Sequence, residues 1–169
     1  PGSLHEVHGD LLRHPAAFIC HQCNCVSETA KGLSAQVFRA FPHADVYSAR
    51  AKTFSSVPGT VAVHGSPHTG RRGVVNLFGQ IRPGAPSTRN SYDDAAAREG
   101  FFRSALRQLQ RMILNARIDP GVDGIAFPDH VGCGLGGGDW PKYRQLLQHF
   151  AATVPCPVFV VKLGGGGGG

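Results

Sequence analysis

Three side chains able to ligate or move protons crowd into one short segment, His21-Gln22-Cys23-Asn24-Cys25-Val26, with Cys20 just ahead of them. If this segment is a strand, alternate residues share a face, so His21, Cys23 and Cys25 point the same way. An imidazole titrates near neutrality, so His21 is a candidate to protonate a leaving oxygen or activate a water. The alternative is a buried strand histidine satisfied by the backbone. The same face would suit a metal, but no second Cys/His pair of zinc-like spacing completes a ligand set, and no metal or other cofactor is expected. The chain has five cysteines, an odd number, and Cys23 and Cys25 sit too close on a strand for an ordinary disulfide. Reduced thiols in a reducing compartment are therefore expected.

A second chemical feature is Gly132 to Gly138 (GCGLGGG), five glycines in seven residues. Such a loop permits positive φ and brings backbone N–H groups close to an anion such as a diphosphate; a flexible turn is the plain alternative. It lacks the Gly-Lys-Ser/Thr ending of a P-loop, and its glycines come late in the chain instead of after the first strand. Asp129 and His130, just before it, read either as a second acid/base pair or as a capped surface turn. The other loop of interest is Asn24 to Gly32 (NCVSETAKG). Each loop lies between a buried strand and a helix, where strand ends and helix N-termini converge on ligands.

The elements that must position these loops follow from periodicity. Leu4 to His8 alternates like a short strand, and Ala16 to Cys23 is a nearly continuous apolar run suited to a central one. Leu33, Val37 and Phe41 recur every four residues, predicting an amphipathic helix closed by Pro42, with a short helix over Ala44 to Arg50 after it. Gly59 to His64 and Gly73 to Phe78 read as strands, and Ile81 to Asn90 as an exposed, mobile loop. Asp93 or Asp94 caps the longest helix, whose buried face is Phe102, Ala105, Leu106, Leu109, Met112 and Ile113. Gly124 to Pro128 is a strand, Asp139 to Ala152 a helix, and Pro157 to Leu163 a closing strand. This alternation predicts an α/β sheet covered on both faces.

Composition sets the outer bounds. Of 169 residues, 41% are hydrophobic and 17% charged, which argues against a disordered chain. One domain over residues 4–163 is expected, with Pro1 to Ser3 a cloning remnant and Gly164 to Gly169 a tail or linker. No apolar run approaches the roughly 18 residues of a membrane span and no signal peptide is visible, so an intracellular protein, cytoplasmic or nuclear, is expected. The net charge of +6 favours an anionic partner, but the basic residues are scattered, with Arg71-Arg72 their only adjacent pair. A surface dedicated to nucleic acid is the lesser expectation.

Three segments in register resemble the macrodomain family: Gly9-Asp10-Leu11; His21 to Val26 with Lys31-Gly32-Leu33 and Phe41-Pro42; and Gly132 to Trp140. The chain is most similar to the branch containing the terminal ADP-ribose protein glycohydrolases, their bacterial DNA-acting relatives and the ADP-ribose 1″-phosphate phosphatases. The resemblance implies a three-layer αβα sandwich with a mixed central sheet. It implies a chain that binds ADP-ribose, free or on a protein or nucleic acid, and hydrolyses a bond at its distal ribose; a monomer is expected. Under it, Asp10 accepts from the adenine amino group beside the Leu11 backbone. Lys31, Gly32 and Leu33 approach the diphosphate and distal ribose from one side, and Gly132, Cys133, Gly134, Leu135 and Gly136 from the other. Asn24 faces the distal ribose and His21 matches a histidine implicated in the phosphatases, so these two are expected to carry or orient the attack. Gln80 and Gly136 stand where the glycohydrolases use a Lys and an Asp. An amide is no nucleophile and Gly has no carboxylate, so a non-catalytic reader is the alternative.

Overall fold

The computed structural model describes residues 2–50 and 56–164. Pro1 and the last five glycines of the expected tail lie outside the described residues. Six strands form one sheet in the order β1-β6-β5-β2-β4-β3: β1 Leu4–His8, β2 Phe18–Cys23, β3 Val61–Ser66, β4 Arg71–Phe78, β5 Ile125–Pro128 and β6 Val158–Lys162. Every pairing is parallel except β3 with β4, so the sheet is mixed. The α-helices among the described residues are α1 Gly32–Ala40, α2 Val46–Ala49, α3 Ala95–Leu114 and α4 Trp140–Thr153. None is long and apolar enough to cross a membrane among the described residues.

Alternation along β2 and β4 divides the core. Phe18, Cys20, Val75 and Leu77 pack with Phe102, Leu109, Leu147 and Phe150 of α3 and α4. Ile19, Cys23, Val74 and Phe78 pack on the other face with Val37, Phe38 and Tyr47 of α1 and α2. Two helical layers thus sandwich the sheet, the expected αβα arrangement. Burying a large apolar side chain is worth about 1.5–3 kcal/mol, so each layer is anchored by a few such residues.

Several boundaries differ from expectation. β3 begins two residues late, because Gly59 and Thr60 are spent in the turn that pairs with Phe78. α1 buries Val37 and Phe38, while Leu33 and Phe41 are only partly covered; Phe41 is the C-cap, where its N–H reaches the Val37 carbonyl. The short helix expected over Ala44 to Arg50 is split into a 3-10 turn, Pro42–Ala44, and α2, whose first N–H groups are capped by Asp45. Asp94, not Asp93, caps α3 by accepting from Ala97 N–H.

Because β1, β6, β5, β2 and β4 run parallel, their C-terminal ends share one edge of the sheet. The segments that leave that edge carry Asp10 after β1, Asp129 to Gly138 after β5, Asn24 to Lys31 after β2, and Gly79 to Asp93 after β4. Topology alone brings these segments together.

Candidate functional site

Along that edge runs a cavity of about 900 Å³. The start of α1 (Lys31 to Ser34) and the β2 loop (Asn24, Ser27) form one wall, and Gly132, Gly134, Leu135 and Gly136 another; Gln80, Pro83 and Gly84 close one end, and Asp129 with His130 line it too. Helix α1 contributes the N–H groups of its first turn, which have no intrahelical partner. In the facing loop, Gly138 N–H bonds the Gly132 carbonyl and Gly137 N–H the Gly134 carbonyl, while the N–H groups of Gly134, Leu135 and Gly136 make no hydrogen bond among the described residues. Two sets of donors therefore converge on one cavity, an arrangement suited to phosphate oxygens.

Asn24 is nearly buried and shapes its own loop. Its Oδ1 accepts from the N–H groups of Val26 and Ser27 at 3.0 and 2.8 Å, and one N–H of Nδ2 donates to Ser27 Oγ at 3.0 Å. The second Nδ2 proton has no partner among the described residues. Tyr47 and Arg50 brace the turn from behind: Tyr47 OH accepts from Asn24 N–H at 2.7 Å, and Arg50 donates to the Asn24 and Ser27 carbonyls while lying over the Tyr47 ring.

His21 also lies at this cavity, yet only 1% of it is exposed. Asn76 Nδ2 faces the Ala44 and Ala62 carbonyls, which turns its Oδ1 toward His21 Nε2 at 2.6 Å. Nε2 therefore carries the proton, and Nδ1 is the acceptor facing Ser34 Oγ at 3.0 Å, whose one proton also lies within reach of the Gln22 carbonyl at 3.3 Å. Burial, only partly offset by the Asn76 bond, pushes its pKa down to about 4. At neutral pH this histidine is an uncharged tie between β2, β4 and α1, with both nitrogens engaged.

Of the other expected site residues, Lys31, Gly32, Leu33, Gly132, Gly134, Leu135 and Gly136 meet at the cavity. Asp10 and Leu11 do not line it. Asp10 caps a 3-10 turn over Leu11–Arg13 by accepting from Leu12 N–H, and Leu11 is buried in the core. Cys133 turns inward, its Sγ toward the Val131 carbonyl and its N–H on the His130 carbonyl, and burial with Asp139 and Asp129 nearby pushes the thiol up to about 12. It offers neither a free N–H nor a thiolate.

No protein-family model matches the chain, and no curated protein does. Solved structures do. The macrodomain of Mycobacterium tuberculosis DarG superposes with a TM-score of 0.70 at 23% identity, over 97% of this chain and 99% of that one. The macrodomain of Thermus aquaticus DarG gives 0.67 at 26% identity, over 97% and 99%. Thermosipho africanus DarTG, solved in complex with ADP-ribose, gives 0.69 at 20% identity over 96% of this chain and 42% of that one. The fold is that of a macrodomain.

A chain of amides lies beneath the Gly-rich loop. Gln80 Nε2 donates to the Arg82 carbonyl at 2.8 Å, which fixes its orientation, and Gln80 Oε1 then accepts from Gln22 Nε2 at 2.7 Å. A Cβ on Gly136 would stand 2.8 Å from the Gly132 carbonyl oxygen, 3.0 Å from Gln80 Oε1 and 3.1 Å from Gln22 Nε2. The glycine is thus required by packing against these amides.

Sequence reasoning missed Arg98. It is buried on α3 and donates to the carbonyls of Gly84 and Gly136 at 2.7 and 3.1 Å, with Arg82 and Ala85 also in reach. The signal was present: Arg98 stands four residues before Phe102, on the helix face that goes to the core. The loop after β4 is exposed, as expected, but Arg98 and Asp93 pin its backbone.

Proposed function

We propose that the chain binds ADP-ribose along this cleft, and the geometry favours holding the ligand over cutting it. The observation that carries this reading is the convergence of the α1 N-terminus and the free N–H groups of Gly134 to Gly136 on a cavity of about 900 Å³. The diphosphate would lie between Lys31-Gly32-Leu33 and Gly132 to Gly136, with the distal ribose at the Nδ2 of Asn24. The resemblance gives the adenine amino group to Asp10, whose carboxylate would have to accept it beside the Leu12 N–H that it caps. The ADP-ribose in the Thermosipho africanus structure supports the choice of ligand.

A specific observation favours a non-catalytic reader. Gln80 and Gly136 occupy the positions assigned to a Lys and an Asp, and His21 is neutral with both nitrogens bonded. Gln80 and Gly136 bring neither an amine nor a carboxylate to the cleft, and the nitrogens of His21 are already occupied, which supports the reader.

The hydrolytic reading keeps Asn24, which could orient a water, and the loop N–H groups, which could offset charge developing on a leaving oxygen. It would take a 1″-phosphate, or an ADP-ribosyl ester or glycosidic bond. Calorimetry with ADP-ribose, beside a product assay on ADP-ribose 1″-phosphate and on Glu/Asp-, Ser- and base-linked ADP-ribose, tests both readings. Binding without release from any substrate is the expected result; release from one of them overturns the reader. Absence of binding overturns the function itself.

A further inference from the structure

The Asp129–His130 pair is not used by that reading, although it lines the same cleft. Asp129 leaves β5 with its N–H on the Val161 carbonyl of β6 at 3.0 Å. His130 follows in the left-handed region, at φ 59°. Its Nδ1 lies 2.8 Å from Asp129 Oδ2, and its ring stacks on Trp140 with centroids 4.9 Å apart and planes at 19°. Carboxylate, indole and backbone fix an imidazole whose side chain is 55% exposed. Left-handed backbone at a residue other than glycine costs about 1–3 kcal/mol and persists only where the surroundings impose it.

The orientation has a chemical consequence. In the tautomer whose Nδ1–H donates to Asp129, Nε2 is the acceptor of the ring, and it has no hydrogen-bond partner among the described residues. The Gly-rich loop and the first turn of α1 offer backbone N–H donors to the same cleft, which suit phosphate oxygens. An acceptor nitrogen among donors suits a hydroxyl group.

Strand order says which hydroxyl. Asn24 leaves β2, the Asp129-His130 segment leaves β5 on its β6 side, and Asp10 leaves β1 at the far edge. A ligand with its distal ribose at Asn24 and its diphosphate on Gly132 to Gly136 passes His130 with its nucleoside half. We propose that His130, held by Asp129 and Trp140, is a specificity-determining residue that accepts a hydrogen bond from a ribose hydroxyl of the adenosine half. This inference rests on the ADP-ribose reading above.

The test is calorimetry with ADP-ribose and its analogues lacking the 2′- or the 3′-hydroxyl of the adenosine ribose, on the native chain and on His130→Asn, since asparagine tolerates left-handed backbone. The native chain should lose about tenfold in affinity for one of the two analogues, the scale of one hydrogen bond to a neutral group. In His130→Asn, ADP-ribose should weaken by that factor and the same analogue should bind no worse than ADP-ribose. Equal affinity of the native chain for all three ligands overturns the proposal, as does a hydroxyl preference that survives in the variant. If the native chain binds none of the three, it is the ADP-ribose reading that fails, a result distinct from either.

Discussion

Arg98 and Asp93 meet through two parallel hydrogen bonds, Nε to Oδ1 at 3.0 Å and Nη2 to Oδ2 at 2.9 Å, with both side chains withdrawn from solvent. Each partner spends its remaining capacity on backbone. Asp93 accepts from the N–H groups of Ile81 and Arg82, and Arg98 donates to carbonyls on both the β4 loop and the Gly-rich loop. One ion pair therefore joins two sides of the cleft. Burial alone would raise the Asp93 pKa; the Arg98 bond and the two N–H groups outweigh it and hold the carboxyl below its ordinary value.

Arg98→Met should cost about 3–5 kcal/mol, because it leaves Asp93 charged in a buried site. It should also weaken ADP-ribose binding by freeing the Gly84 and Gly136 carbonyls. Arg98→Lys should rescue little, since an ammonium cannot reproduce the planar fork. Urea unfolding and calorimetry on both variants check this; a lysine variant with native affinity would show that the fork is unnecessary.

Acid should weaken the fold in two stages. His21 has its pKa depressed from 6.5 to about 4, so between those values the unfolded chain takes up a proton that the folded chain refuses. His21 leaves stability unaffected above pH 6.5 and lowers it as pH drops through that window, by roughly 3 kcal/mol in all. Asp93 acts in the same direction at lower pH: its stabilisation is full above the ordinary carboxylate range and is lost as pH falls through the lowered folded-state value and the carboxyl protonates. Denaturation of the native chain and His21→Gln at pH 7 and pH 5 separates the first stage, since the variant should lose much less between the two.

Much of this was legible in the chain because it depends on local pattern. The apolar run ending at Cys23, the α3 face and the glycine-rich stretch each signal their own place, and parallel topology then brings the loops to one edge. What was not legible depends on partners far apart in sequence. Whether His21 is free or tied is decided by Asn76, and the role of Arg98 by carbonyls of two loops that no periodicity relates. Phe38 replaced Phe41 in the core because α1 ends at Ala40, which takes Phe41 off the helical face.

Gly136→Asp is the substitution that would seem to restore a missing carboxylate, and it should fail to. Its Cβ would press on the Gly132 carbonyl oxygen, a backbone atom that cannot swing away, and on the amides of Gln80 and Gln22. Crowding of this kind typically costs about 1–3 kcal/mol. The expected outcome is a lower melting temperature and weaker ADP-ribose binding with no gain in product release. A variant that binds normally would show that the loop yields more easily than its contacts imply.

Asn24→Asp separates the two jobs of that residue. A carboxylate can still accept from the Val26 and Ser27 N–H groups, so the loop should keep its shape and the unfolding free energy should stay within about 1 kcal/mol of native. The Nδ2 donors disappear, however, and a negative charge enters a cleft whose proposed ligand carries a diphosphate. Loss of one donor and like-charge repulsion act in the same direction, so affinity for ADP-ribose should fall at least about tenfold. Calorimetry decides the matter together with a melting curve. Native affinity in a normally folded variant would move the distal ribose away from Asn24, whereas lost affinity with lost stability would mean that Asn24 serves only its own turn.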